Sequence, residues 1–195
     1  MTTLFASVFL AAATSTNAWL ADWNTPYGMP PFNELKVSEY VDALKTASQL
    51  KQERIKAIVD NKEKPTFANT IVPYIFAGRE LAQASRVFSA LLGLERNEER
   101  ERASMEAIPV FTVDGDMTIS NRPLYERINA VWLGDKSKLT EEEKTIVKRI
   151  HDSFRRNGVA LNQKQRERLR EINKSTSAVT AHKSNEISGN VHTLL

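Results

Sequence analysis

Apolar positions along this 195-residue chain recur every three or four residues, the spacing that lines one face of a helix. Over residues 38–60 the stripe is Tyr40, Val41, Leu44, Ala47, Ile55, Ile58 and Val59, with Ser38 placed as an N-cap. "NKEKP" closes it, because the residue before a proline is pushed away from helical φ/ψ. Residues 66–94 carry the widest stripe, through Ile71, Ile75, Gly78, Leu81, Phe88 and Leu92. Pro73 near its front predicts a late start or a kinked first turn. Residues 95–108 read as a charged surface helix with a thin apolar face. Around Asp114-Gly115 the period drops to two, a hairpin signal over 110–123 with an irregular loop as the alternative. Helical spacing returns at 124–133 and at 139–158. In the second of these, Thr140 and Glu143 make a capping box, Val147, Ile150 and Phe154 face inward, and Asn157-Gly158 supplies a left-handed stop. A last helix restarts at Asn162 with the sparse stripe Leu169, Ile172, Val179 and Ile187. The fold class is all-α, an array of amphipathic helices.

The amino-terminal region departs from this pattern twice. "LFASVFLAAA" (4–13) is too short to span a bilayer, which takes about 20 residues, yet it fits the apolar core of a signal peptide covering 1–18. The usual Lys or Arg ahead of such a core is missing, and the alternative is a frayed or buried helix start. Export to the periplasm is expected on the first reading and a cytoplasmic location on the second. Residues 19–37 form a Pro-rich clasp, in which "TPYGMPPF" (25–32) cannot be helix interior because its prolines lack the amide donor. Tyr27 and Phe32 are expected to pack on neighbouring helices. Residues 38–195 are the helical body.

Composition excludes more chemistry than it suggests. The net charge is +3 and there is no cysteine, so disulfides, thiol nucleophiles and Cys-ligated zinc are ruled out. None of His151, His182 and His192 belongs to a His-Glu-x-x-His motif. His182 and Glu186 share a helix face, but two donors do not make a zinc site. His151 reads as a surface histidine paired with Asp152. "DGD" at 114–116 fails as a calcium loop, because Thr118 and Ile119 stand where an Asp or Asn and a Gly are needed. One binding feature stands out. Nine basic and three acidic residues between Lys148 and Lys174 leave a local charge of +6, and Arg155, Arg156, Lys164, Arg166, Arg168 and Arg170 form its stripe. Without interleaved aromatics this stripe argues for a solvated face, or contact with an acidic surface, rather than nucleic acid.

Four blocks carry a resemblance, in order and at similar spacing: "LADWNTPYGMPPFNELKVSEY" (20–40), "PTFANTIV" (65–72), "SRVFSALLGL" (85–94) and "DSFRRNGVALNQKQRERLREIN" (152–173). They resemble the amino-terminal portion of bacterial peptidyl-dipeptidases of the thimet oligopeptidase family, zinc metallopeptidases that include oligopeptidase A. The resemblance implies an almost wholly helical enzyme, several times longer than this chain, whose two halves enclose a channel for oligopeptides. The zinc ligands of that family lie in its carboxyl-terminal half, so the resemblance assigns no catalytic, metal or cofactor residue here. Ala68 and Pro73 and the "FTVDGDMTISN" text depart from the family's usual sequence. The expected function is therefore the non-catalytic amino-terminal portion of a peptidase that removes dipeptides from the carboxyl ends of oligopeptides. A stand-alone helical module binding peptides or a protein is the alternative. The expected partners are the missing carboxyl-terminal half, or self-association through an exposed apolar face.

Overall fold

The computed structural model describes residues 17–159 together with Leu161, Lys164, Gln165 and Arg168. Short 3₁₀ turns at Pro26–Gly28 and Val37–Glu39 precede α1 (Tyr40–Asp60). A π turn at Phe67–Ile71 leads into α2 (Val72–Ala77). Then follow α3 (Arg79–Leu94), α4 (Glu98–Ile119), α5 (Arg122–Leu133) and α6 (Glu141–Arg156). The described residues contain no strand, and the protein is all-α. None of these helices is long and apolar enough to cross a membrane.

The helix ends follow from local chemistry, with one exception. Thr140 and Glu143 close the expected box on α6: the Glu143 amide donates to Thr140 Oγ1 at 3.2 Å and the Thr140 amide to Glu143 Oε2 at 2.9 Å. Gly158, at φ 80°, ends the helix as expected. Thr66 and Asn69 make a second box, which starts the π turn ahead of Pro73. The expected disturbance near Pro73 is this π turn, and the long stripe is broken again at Gly78 between α2 and α3. Ser38 is not an N-cap: it lies inside the 3₁₀ turn, and α1 starts at Tyr40 with no side-chain cap.

Neither hairpin nor loop forms at 110–123. Asn97 caps α4 by accepting the Arg100 amide at 3.0 Å, and the helix runs unbroken to Ile119. Ala103, Ala107, Asp114 and Thr118 are its buried positions, with Val110 half-buried among them. Two of those positions are polar, which hides the helical spacing in the sequence. Pro109 and Gly115 both lie on exposed faces. There the carbonyl that Pro109 leaves unpaired meets water instead of a dry core.

Packing divides into two apolar clusters strung along α1. The first joins Trp19, Leu20 and Leu35 to Tyr40, Ala43, Leu44 and Ala47 of α1, Leu81, Ala84 and Phe88 of α3, and Ala103 and Ala107 of α4. Its centre is a stack of Tyr40 on Phe88 at 3.8 Å between ring centroids. The second joins Ile55 and Ile58 to Ile71, Ala77, Leu124, Ile128, Val131, Val147 and Phe154. Tyr40 meets Phe88 while Arg54 meets Glu80, so α3 runs antiparallel to α1. Val41 lies by Ala103 while Gln52 reaches Thr118, so α4 runs parallel to α1. Ile75 faces solvent at 45% exposure and is not part of the core stripe.

The clasp is fastened by tryptophans rather than by its own aromatics. Trp19 is fully buried, its indole donating to the Lys36 carbonyl at 2.9 Å, and Trp23 donates to the Ala18 carbonyl at 2.9 Å. Tyr27 is fully exposed, and Phe32 is 46% exposed. The reason for Tyr27 is backbone geometry. It sits at φ 61° after Pro26, followed by Gly28 at φ 64°, and this tight left-handed pair turns its ring outward.

Candidate functional site

Running side by side in the same direction, α1 and α4 leave a groove of about 790 Å³ on the surface away from α3. Val41, Ser48 and Gln52 line its α1 wall, and Pro109, Val113 and Met117 its α4 wall. The α1 wall also carries Lys45, Gln49 and Glu53, and the α4 wall is apolar apart from Glu106. A groove of this make-up can take a peptide or a helix with one apolar face.

A buried carboxylate ties together the two helices that form the groove. Asp114 is 4% exposed and forms an ion pair with Lys51. Ser48 Oγ donates to Asp114 Oδ1 at 2.9 Å, and Gln52 Nε2 donates to the same oxygen at 3.1 Å and to Thr118 Oγ1 at 3.1 Å. A charge so enclosed is tolerable only when paired and hydrogen-bonded. Five side chains on two helices hold the register of α1 against α4. Gly78 belongs to the same arrangement, because a Cβ there would stand 3.1 Å from the Lys51 stem.

A second cluster lies one turn further along α1. Arg54 Nη2 donates to Glu80 Oε1 at 2.8 Å, Arg79 Nε donates to the same oxygen at 2.9 Å, and Arg54 Nη1 donates to the Ala77 carbonyl at 2.9 Å. Burial pulls the Glu80 carboxyl upward, but the bonds from Arg54 and Arg79 outweigh it and hold the group at about 2 against its ordinary 4.5. Arg79 also reaches Asp22 at 3.3 Å, tying the clasp to α3.

His151 is a correction. It is 3% exposed, not a surface residue, and lies between the rings of Tyr125 and Trp132 at 5.7 and 5.1 Å. Its Nε2 is 3.1 Å from Asn129 Oδ1 and 3.4 Å from the Tyr125 hydroxyl. Nδ1 has no hydrogen-bond partner and lies 3.6 Å from the Asp152 carboxylate. Burial first, and then Arg155, lowers the affinity of this imidazole for a second proton despite Asp152. The site reads as aromatic packing.

The basic stripe is only partly described. Arg155 and Arg156 are exposed on the last turn of α6, and Lys164 and Arg168 are exposed beyond it. Arg166 and Arg170 lie outside the described residues, as do His182, Glu186 and residues 1–16 of the 1–18 segment expected as a signal peptide. Among the described residues, none of the stripe lines the groove. Among the described residues no group of three or more His, Cys, Asp or Glu could hold a metal ion, so the donor set that zinc needs is not found there. The residues that organise the groove, Lys51 and Asp114, were missed in the sequence. The available signal was Asp114 itself, a charge at a stripe position.

With this geometry in place, comparison with known proteins gives a direct answer. The dipeptidyl carboxypeptidase of Escherichia coli (strain K12) is 28% identical over 169 residues, and that of Salmonella typhimurium is 28% identical over 166. The chain is similar to dipeptidyl carboxypeptidases. The match takes in 86% and 85% of the chain, but the chain spans only 25% and 24% of those curated relatives. No family model matches the chain.

Proposed function

We propose that this chain is the amino-terminal, non-catalytic portion of a zinc metallopeptidase that removes dipeptides from the carboxyl ends of oligopeptides. In this reading its helices form part of the wall that surrounds the substrate. The observation that supports it is similarity across nearly the whole chain to a quarter of two dipeptidyl carboxypeptidases. The chemistry would then belong to the remaining three quarters, where a metal would polarise the scissile carbonyl. The chain alone, incubated with zinc and an N-blocked oligopeptide, is expected to release no dipeptide by mass spectrometry. Stoichiometric release would overturn the non-catalytic assignment. The intact mass of the native protein in its source cells tests the rest, and a value several times 22.0 kDa is expected.

The groove favours a second reading, a helical module that binds a peptide or protein partner. A native mass of 22.0 kDa together with saturable binding of oligopeptides at the groove would select it.

A further inference from the structure

Resting on the second reading above, in which the groove takes a peptide, we infer that its occupant is an extended segment with an apolar middle and a basic side chain near each end. The apolar surface comes from Val41 on one wall and from Pro109, Val110, Val113 and Met117 on the other. The charges select the occupant. Lys45 is matched by Asp42 at 2.9 Å. Glu53 and Glu106 also line the groove, and no cation bonds to either among the described residues. Arg54, next to Glu53, is taken by Glu80. An adjoining hollow of about 300 Å³ shares Val41, Lys45 and Glu106, and its further charges, Glu99 and Arg102, balance. On a chain of net charge +3, the groove is thus locally acidic through Glu53 and Glu106.

The two acids stand at opposite ends. Glu106 shares the adjoining hollow with Val41 and Lys45, toward the start of α1, while Glu53 follows Gln52, which reaches Thr118 on α4. About 8–12 residues of α1 separate these levels, or roughly 12–18 Å along the helix. An extended chain, at about 3.3 Å per residue, covers that in about four or five steps. Two basic residues with about three or four apolar ones between them therefore reach both carboxylates. The groove's acceptors favour extended backbone over helix. Pro109 has no amide to give the Met105 carbonyl, so that oxygen lacks its helical donor on the same wall. The Gln49 amide lines the wall opposite. An extended peptide has backbone N–H groups to give to both, whereas a helix has already used its own.

Fluorescence anisotropy of the intact chain with a dye-labelled, end-blocked peptide, Lys-Leu-Ala-Val-Leu-Lys, tests this against the same peptide carrying Gln or Glu in place of both Lys. At about 20 mM salt the lysine peptide should bind at least about 10-fold more tightly than the glutamate one, and at about 500 mM the gap should fall below about 3-fold. Glu53→Gln and Glu106→Gln, both at exposed positions, should each weaken the lysine peptide about 3-fold and leave the glutamine peptide unchanged. Glu142→Gln, on α6 and not lining the groove, should change neither. Val113→Ser on the apolar wall should weaken all three peptides at least about 3-fold. Equal affinity for the three peptides overturns the charge selection and leaves the groove as a peptide site. Absence of saturable binding by any of them below about 1 mM overturns the second reading as well. Equal effects at 53, 106 and 142 assign the attraction to overall charge and overturn the site.

Discussion

Glu80 and His151 are titratable groups whose burial is matched to opposite charge states. The Glu80 carboxylate, held at about 2, binds protons less well in the folded chain than in the unfolded one. Its contribution is therefore complete above pH 4.5 and is lost as the pH falls toward 2, amounting to about 3 kcal/mol across the window. Glu80→Gln should cost about 2–3 kcal/mol at neutral pH and flatten the acid limb of a urea-unfolding series. An unchanged acid limb would remove the ion pair from the account. His151 also has a depressed folded-state affinity for protons. Its stabilisation is present above the unfolded value of about 6.5 and fades as the pH drops below it. His151→Phe, which keeps a ring between Tyr125 and Trp132, should erase that loss of stability below the unfolded value. Persistence of the loss in the variant would assign it to another group.

At the scale of elements, α4 separates what the sequence displayed from what it concealed. The stripes of α1, α5 and α6 and the box at Thr140 were legible because their inward positions are mostly apolar and their caps are local. The stripe of α4 was not, because Asp114 and Thr118 occupy inward positions, and the Asp114 carboxylate is satisfied by Ser48, Lys51 and Gln52, more than sixty residues earlier. No local pattern can announce a partner so distant, and Asp114-Gly115 looks like a turn when read alone. The groove was illegible for the same reason, since it exists only once α1 and α4 lie parallel. Gly115→Ala decides between helix and hairpin directly. A Cβ there meets nothing within 4 Å, so α4 should gain up to about 1 kcal/mol, whereas a hairpin apex would be destabilised. Asp114→Ala should cost about 3–5 kcal/mol by stranding Lys51, against less than about 0.5 for Asp116→Ala. Comparable effects at 114 and 116 would contradict the helical assignment.

For the molecule as a whole, α1 is a shared spine. Its first half serves one apolar cluster and its second half the other, and Lys51, Gln52 and Arg54 sit at the changeover. Leu44 and Ile55 belong to different clusters and are about 16 Å apart along the helix. Truncating either to Ala should cost about 2–5 kcal/mol, and the two losses should add within about 0.5 kcal/mol in the double variant. A coupling above about 1 kcal/mol would mean a single packed core.

The parallel course of α1 and α4 also has a consequence in time. Lys51 waits for a partner 63 residues further along the chain. At about 5–20 residues per second of synthesis, that separation is an interval of about 3–12 s. Throughout it α1 and α3 can pair, Arg54 with Glu80 included, but Ser48, Lys51 and Gln52 lack their partners on α4. Slow translation between α3 and α4 would lengthen that interval and delay the contact that sets the groove.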